Sequence, residues 1–415
     1  MTNKTILVVG TYDTKNDELA YMAERIIAMN GKTLTMDVSV LGDPEKPTDI
    51  SKHQVAEAAN NTIQGAINSG DENTAMQIMA SGASKLAAKL FAERKFDGVV
   101  ILGGTMGTDL ALDVCHALPI GVPKYVVSTV SFSPLIPPER LAADIQMILW
   151  AGGLYGLNSL CKSSLSQAAG AVLGAAQAVQ PPDGKKPIIG MTALGTSCLR
   201  YQKFLKPELE DRGFEVAVFH ATGMGGIAFE SVAARGGFAC VMDFGLSEIA
   251  NLLSGSALNG GSDRMLNAGR AGIPQLVAPG CLDLVDFVGW QDPPEQFQDR
   301  PFHAHNRLLK SCGLNGEERR ETAREISKRL SQSTAPVHVL MPNIGIEEWD
   351  REGGETHNPE AFSEFLDEMR IAFHEPVKYQ ELDCHINDEA FADAALVIID
   401  RWIADGTITM SVNSS

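Results

Sequence analysis

Short apolar runs alternate with longer amphipathic ones along almost the whole chain, and that alternation leaves few folds open. Residues 5–9 (TILVV) are apolar or β-branched throughout, the pattern of a parallel strand covered by helices on both faces. Residues 15–29 then carry Leu19, Met22, Ile26 and Met29 at helical spacing. Further strands are predicted at 33–40, 98–102, 124–129 and 145–150. Helices are predicted over 53–95, as two segments broken near Gly70, over 109–117 and over 157–179. The stretch 180–187 (QPPDGKKP) reads as a linker, after which the pattern restarts. Strands at 188–192, 215–220, 239–244, 275–278, 337–341 and 377–382 alternate with helices at 197–212, 226–235, 246–254, 317–330, 359–372 and 389–404. Residues 279–307 read as a long Pro-rich loop. Right-handed crossovers between such units predict an α/β fold of two Rossmann-like domains, 1–180 and 187–415, each a mostly parallel sheet flanked by helices. Both halves open with a strand, a Gly-Thr turn (Gly10-Thr11 and Gly195-Thr196) and a helix, which suggests duplication.

Charge narrows the partners. With 34 basic and 52 acidic residues the chain carries a net -18. Bulk nucleic-acid binding needs a positive footprint, and docking on anionic membranes needs the same. No apolar run approaches the ~18 residues of a membrane span. The apolar run at 6–9 is too short for a signal-peptide core. The 7 cysteines form no Cys-x-x-Cys pair and read as reduced thiols. A soluble cytoplasmic protein is expected.

In open α/β sheets ligands sit beyond the carboxyl ends of the strands. Three polar segments fall there in the first domain: Gly10-Thr11-Tyr12-Asp13-Thr14-Lys15, Gly103-Gly104-Thr105-Met106-Gly107-Thr108 and Ser128-Thr129. Glycines let backbone approach an anion, helix-start N–H groups favour negative charge, and threonine hydroxyls add donors. Lys15 adds a point charge, and Asp13 or Asp17 is placed to hold Mg²⁺ through water. Neither the P-loop nor the dinucleotide glycine fingerprint is present, which disfavours a nicotinamide dehydrogenase. The same residues also serve tight turns and helix caps, so phosphate binding and plain turn chemistry both stay open here.

The second domain is denser in polar strand ends. His220, Glu230, Asp243, Glu248, Arg264, Asp283 and the 303–307 segment (HAHNR) are all expected near one sheet edge. His220, Glu230, His303 and His305 are the candidate catalytic groups, with a histidine as base. Arg264, Asp283 and Asn306 are the candidate substrate-binding groups, with Arg264 as anion clamp. Arg264 has an alternative in pairing with Asp263 or Glu248. No cysteine or acid stands at ligand spacing from His303 and His305, so no metal site is expected. Cys281 lacks an activating base and reads as structural.

Five motifs, in order, carry a resemblance: GTYDTK (10–15), GGTMGT (103–108), FHATGMGGIAFE (219–230), GSDRMLNAGRAGIPQLVAPGCLD (261–283) and HAHN (303–306). Over nearly the whole chain it resembles an uncharacterised bacterial family similar to the tomato mosaic virus resistance protein, without that plant protein's extra barrel domain. The resemblance implies an ATP-binding N-terminal domain and a homodimer. The ATP site it implies comprises Thr11, Asp13, Thr14, Lys15, Gly104, Thr105, Gly107 and Thr108, with Ser128 and Thr129 nearby. The chain is then expected to be an ATP-dependent enzyme acting on a small anionic metabolite, a carboxylate or sugar acid. A non-catalytic nucleotide sensor and a sugar-phosphate or nucleotide-sugar enzyme are the alternatives.

Overall fold

The computed structural model describes residues 3–180, 182, 184–195 and 198–410. The chain divides into two compact units, Met1–Asp183 and Gly184–Ser415. In the first, β1 (Thr5–Gly10), β2 (Lys32–Asp37), β3 (Gly98–Gly103), β4 (Lys124–Ser128) and β5 (Ile145–Leu149) form one sheet in the order β2-β1-β3-β4-β5. Every neighbouring pair is parallel.

The pleat explains the composition of β1. Ile6 and Val8 pack on one face with Leu19, Met22 and Ile26 of helix Asn16–Ala28 and with Leu165 and Val172 of helix Ser159–Ala178. Leu7 and Val9 pack on the other with Val55, Met79 and Leu110. Both faces are buried, so no position in the centre of the strand tolerates a charge. The 53–95 region holds three helices rather than two: Lys52–Ala58, Ile63–Ile67 and Glu72–Ala92. Ser51, Thr62 and Asp71 each accept from a backbone N–H of the following turn (Gln54, Gly65 and Thr74), so each starts a new helix.

In the second unit, β6 (Ile188–Ala193), β7 (Glu215–His220), β8 (Cys240–Asp243), β9 (Gln275–Val277), β13 (Val337–Pro342) and β14 (Lys378–Leu382) form a parallel sheet ordered β14-β13-β9-β8-β6-β7. Its first strands wind as in the first unit: the second strand lies outside the first, and the third on the other side. The expected 279–307 loop is instead largely structured. β10 (Leu284–Val288), β11 (His303–Ala304) and β12 (Leu309–Gly313) make an antiparallel sheet in the order β10-β12-β11. The prolines at 293, 294 and 301 fall between these strands, where no ladder bond is lost. Thr196 and Ser197, read as a turn and helix start, lie outside the described residues; the helix itself is Arg200–Asp211. Among the described residues no helix is long and apolar enough to cross a membrane.

Close helix packing rests on Gly82. A Cβ there would stand 1.9 Å from the carbonyl oxygen of Val55. Gly82→Ala is expected to cost ~1–3 kcal/mol in urea unfolding, because backbone has to move. Gly174→Ala, on helix Ser159–Ala178 with nothing within 4 Å of the new Cβ, is expected to gain ~0.5–1 kcal/mol. Equal effects at the two positions would refute this account of the packing.

Candidate functional site

The order β2-β1-β3 makes the connections leave β1 and β3 in opposite directions, which opens a crevice beyond their carboxyl ends. Two of the three polar segments flank it. After β1 the chain turns at once, with the N–H groups of Thr14 and Lys15 donating to the Thr11 carbonyl at 3.2 and 2.9 Å. The Thr11 and Thr14 hydroxyls lie 3.0 Å apart on the exposed side. Tyr12 turns inward and is buried. Asp37, at the end of β2, fixes the turn: its Oδ1 accepts from the N–H groups of Tyr12 (3.3 Å) and Ser39 (2.9 Å) and from the Ser39 hydroxyl. Asp13 accepts from Gly42 N–H at 3.1 Å through Oδ2. Its Oδ1 is buried with no hydrogen-bond partner.

After β3, Gly104 is the N-cap of helix Thr105–Ala117 and offers no capping side chain. The N–H groups of Thr105, Met106 and Gly107 therefore have no intrahelical acceptor. Gly103 is demanded by the turn, since a Cβ there would lie 2.5 Å from the Gly107 carbonyl carbon. Thr108 donates back to the Gly104 carbonyl at 2.7 Å and meets the Ser128 hydroxyl at 2.6 Å. Both are buried, so they brace the helix start against β4 rather than face a ligand. Thr129 stands beside Gly104, with its N–H bonded to the Gly103 carbonyl at 3.3 Å. Lys15 reaches the Leu154 carbonyl at 3.4 Å and does not line the crevice.

Thr11, Asp13 and Thr14 line a cavity of about 470 Å³. Its opposite wall is apolar, from Val40, Leu41, Ile67, Ala75, Met76 and Met106. Asp71 and Glu72 also border it, and Asp71 is occupied in capping the helix Glu72–Ala92. Among the described residues lining it there is no lysine, arginine or histidine. The apolar wall was missed from sequence; the Val-Ser-Val-Leu run at 38–41 just after β2 was its only local signal.

In the second unit the predicted residues do not meet at one place. Arg264 is fully buried. Its guanidinium donates to both oxygens of Asp243, with Nη2 at 2.7 Å from Oδ1 and Nη1 at 2.5 Å from Oδ2, while Nε donates to Glu248 at 2.7 Å and Nη1 lies 3.4 Å from Glu230. Glu248 in turn accepts from the N–H groups of Gly223 (2.6 Å) and Gly226 (3.0 Å). Arg264 is thus the hub of an internal charge network and not a surface anion clamp, and Glu230 is one of its buried counter-charges. His220, at the end of β7, and His305 are exposed. Both stand close enough to Asp286 for their charge to oppose the upward push of burial on its carboxyl. Asn306 accepts from the N–H groups of Leu308 (2.7 Å) and Leu309 (3.0 Å) and closes the β11–β12 turn. Cys281 is buried, and burial raises its thiol.

His303 belongs to a different place, a cavity of about 610 Å³ between the antiparallel sheet and two helix starts; Asp283 is buried outside its lining. The His303 ring lies 4.6 Å from Trp349, and its Nδ1 is 2.8 Å from Glu355. Asp283 is buried behind Arg319, 3.7 Å from Nη2. Burial and the charge of Asp283 push the Glu347 carboxyl up to about 9; Thr356 and the Trp349 N–H donate to it. His385 Nε2 donates toward the Glu347 carbonyl (2.9 Å) and Asp350 Oδ1 (3.1 Å), and its Nδ1 accepts from the Asn387 N–H (3.0 Å). Among the described residues no cluster of three or more His, Cys, Asp or Glu is arranged to hold a metal ion.

Residues 4–181 match the Uncharacterised protein family (UPF0261) N-terminal domain, and residues 186–403 its C-terminal domain. The chain belongs to the UPF0261 family. A UPF0261 protein of Brucella melitensis biotype 1 is 54% identical over 403 residues, covering 97% of this chain and 96% of that one. A Clostridium tetani member is 33% identical, covering 94% and 97%. The ToMV resistance protein Tm-1(GCR237) of Solanum lycopersicum is 28% identical over 432 residues, covering 96% of this chain and 55% of the tomato protein. This UPF0261 chain therefore spans about half of the tomato protein.

Buried acids give this UPF0261 protein a defined pH response. Burial pushes Asp283 up to about 6, against the pull of Arg319, and Glu230 to about 7, against Arg264. Glu347 stands highest, at about 9. Each binds its proton more tightly folded than unfolded, where carboxyls titrate near about 4. The folded chain carries these extra protons, so the contribution of these three acids to stability falls as pH rises from about 4 to about 9. Glu347→Gln removes the part that extends above pH ~7. Its Tm is expected to fall less steeply between pH 7 and 9 than the parent's, and parallel curves would count against a buried protonated Glu347.

Proposed function

We propose that the first unit binds ATP as its Mg²⁺ complex in the crevice between β1 and β3. The whole chain is then an ATP-dependent enzyme acting on a small anionic metabolite. The observation that carries the reading is the cavity of about 470 Å³, which joins a hydroxyl-bearing turn to an apolar wall. Phosphates fit over the uncapped helix start at Thr105–Gly107 with the Thr11 and Thr14 hydroxyls beside them. A purine fits against Val40, Leu41 and Met76, which offer apolar surface without polar demand.

The charges in the cavity favour the metal complex over the bare nucleotide. Asp13 and Glu72 would repel an uncomplexed triphosphate, and no basic side chain lines the cavity among the described residues to offset them. The buried, unpartnered Oδ1 of Asp13 suits a carboxylate that holds Mg²⁺ through water. The cation would supply charge neutralisation at the phosphates. Asp37 and Tyr12 keep the turn in place, and Thr108 with Ser128 holds the helix start. That no histidine or basic residue stands in the cavity lining among the described residues also favours a second reading, a nucleotide sensor without turnover.

Calorimetric titration of Mg·ATP tests the site. Saturable binding is expected, with Asp13→Asn weakening Mg·ATP by about tenfold while strengthening Mg-free ATP, from which it removes a repelling charge. Lys15→Ala is expected to leave affinity within about threefold, because the ammonium reaches Leu154 rather than the cavity. Absence of saturable heat would sink the reading. ATP turnover with added carboxylates separates the enzyme from the sensor.

A further inference from the structure

We propose that Gly42, held from beneath by Lys52, is a positioning residue for the magnesium nucleotide: it fixes the Asp13 carboxylate in the pose that leaves Oδ1 free for the hydrated cation. The inference rests on the nucleotide reading of the first unit and adds what keeps the metal side of that site in order.

The anchor is a buried charge. Lys52 is 5% exposed, and an ammonium taken out of water is stable only where acceptors meet it. Two acceptors do, on consecutive residues of the loop 38–49: Nζ donates to the Gly42 carbonyl at 2.7 Å and to Asp43 Oδ1 at 2.8 Å. The hydrogen bond from Lys52 holds the Asp43 carboxyl below the usual carboxylate range, so the pair stays charged and adds no net charge beside the cavity. Lys52 does not line the cavity either. Its part is therefore geometry and not attraction of phosphate. The base of this anchor is firm, because Lys52 opens helix Lys52–Ala58 behind the capping box of Ser51 and Gln54.

The loop passes that hold on to Asp13. Gly42 N–H donates to Asp13 Oδ2 at 3.1 Å, and Asp13 N–H donates to the Ser39 hydroxyl at 3.1 Å. Asp13 is thus tied to the loop through both its backbone and its carboxylate. With Oδ2 taken, Oδ1 is the oxygen that stays unpartnered, on a residue that lines the cavity. A carboxylate fixed by a partner of its own meets a metal with less ordering left to do, and loss of such a partner typically weakens metal binding about tenfold or more. The approach is close: a Cβ on Gly42 would stand 2.8 Å from Asp13 Cβ and 3.2 Å from Oδ2.

The far arm of the loop is held separately. Asn16 donates to Glu45 at 3.1 Å, and Asp49 accepts from the Thr35 N–H and hydroxyl, each at 2.8 Å. Release of Lys52 therefore frees the stretch beside Asp13 without freeing the whole loop.

Calorimetric titration of the full chain with Mg·ATP, and with ATP plus a chelator, tests the proposal. Lys52→Met is combined with Asp43→Asn so that net charge is unchanged. That pair and, separately, Gly42→Ala, whose Cβ displaces the Asp13 side chain, are each expected to weaken Mg·ATP about tenfold and Mg-free ATP less than about threefold. In an Asp13→Asn background either change is expected to cost Mg·ATP less than about twofold, because the carboxylate it orients is gone. A loop that only supported the apolar wall would weaken both nucleotide forms alike and add to Asp13→Asn. Should the pair fail to fold, the half-exposed Gly42→Ala decides alone. Unchanged Mg·ATP affinity, equal losses for the two nucleotide forms, or losses additive with Asp13→Asn would overturn the positioning role and leave the nucleotide reading standing. A parent chain that binds no Mg·ATP overturns both.

Discussion

Both units depend on one topological constraint. A parallel sheet whose second strand lies outside the first, and whose third lies on the other side, sends its connections to opposite faces. The backbone beyond the first and third strands then cannot close over itself, and something other than the sheet has to fill or occupy the gap. In the first unit that gap is bordered by the Gly10–Thr14 turn and by the start of helix Thr105–Ala117, and beside it remains a cavity of about 470 Å³.

The second unit answers the same constraint differently. At the end of β8, Asp243 accepts from the Thr192 hydroxyl at 2.6 Å and from both terminal nitrogens of Arg264. Thr192 also takes the N–H groups of Phe244 (3.0 Å) and Gly245 (2.9 Å). Arg264, with Glu230 and Glu248, plugs the crevice that stays open in the first unit. One cation among three buried carboxylates makes a protonated acid inside the network favourable, in line with the upward shifts of Glu230 and Glu248, both caused first by burial. One cavity of the second unit lies instead beyond β9 and β13, where the antiparallel sheet and two capped helix starts surround about 610 Å³. Two similarly wound sheets thus present one switch-point cavity and one displaced cavity.

The strand–helix alternation was legible because packing on both sheet faces forces apolar runs such as 5–9, and because helices such as Pro359–Ala372 and Glu389–Ala404 carry their period in plain view. The antiparallel sheet was not: β11 is two residues long, too short for any period, and the prolines around it read as loop. Thr11, Asp13 and Thr14 could be placed because a turn after a strand is a local feature. Arg264 could not, because its partners lie 16 to 34 residues away and only the fold brings them together. Of its two suggested partners, Glu248 pairs with it, while Asp263 pairs with Arg270 at 2.8 Å. Glu347, Thr356 and Arg319 were missed for the same reason: single polar residues on separate elements carry no spacing signal.

The central claim is that the first crevice is occupied by a magnesium nucleotide. Amide hydrogen exchange on the full chain, with and without Mg·ATP, tests it most directly. The account predicts added protection at Thr105–Gly107, in the turn after β1, and along the wall at residues 40–41 and 67–76. Protection confined to the second unit, or none at saturating nucleotide, would contradict it.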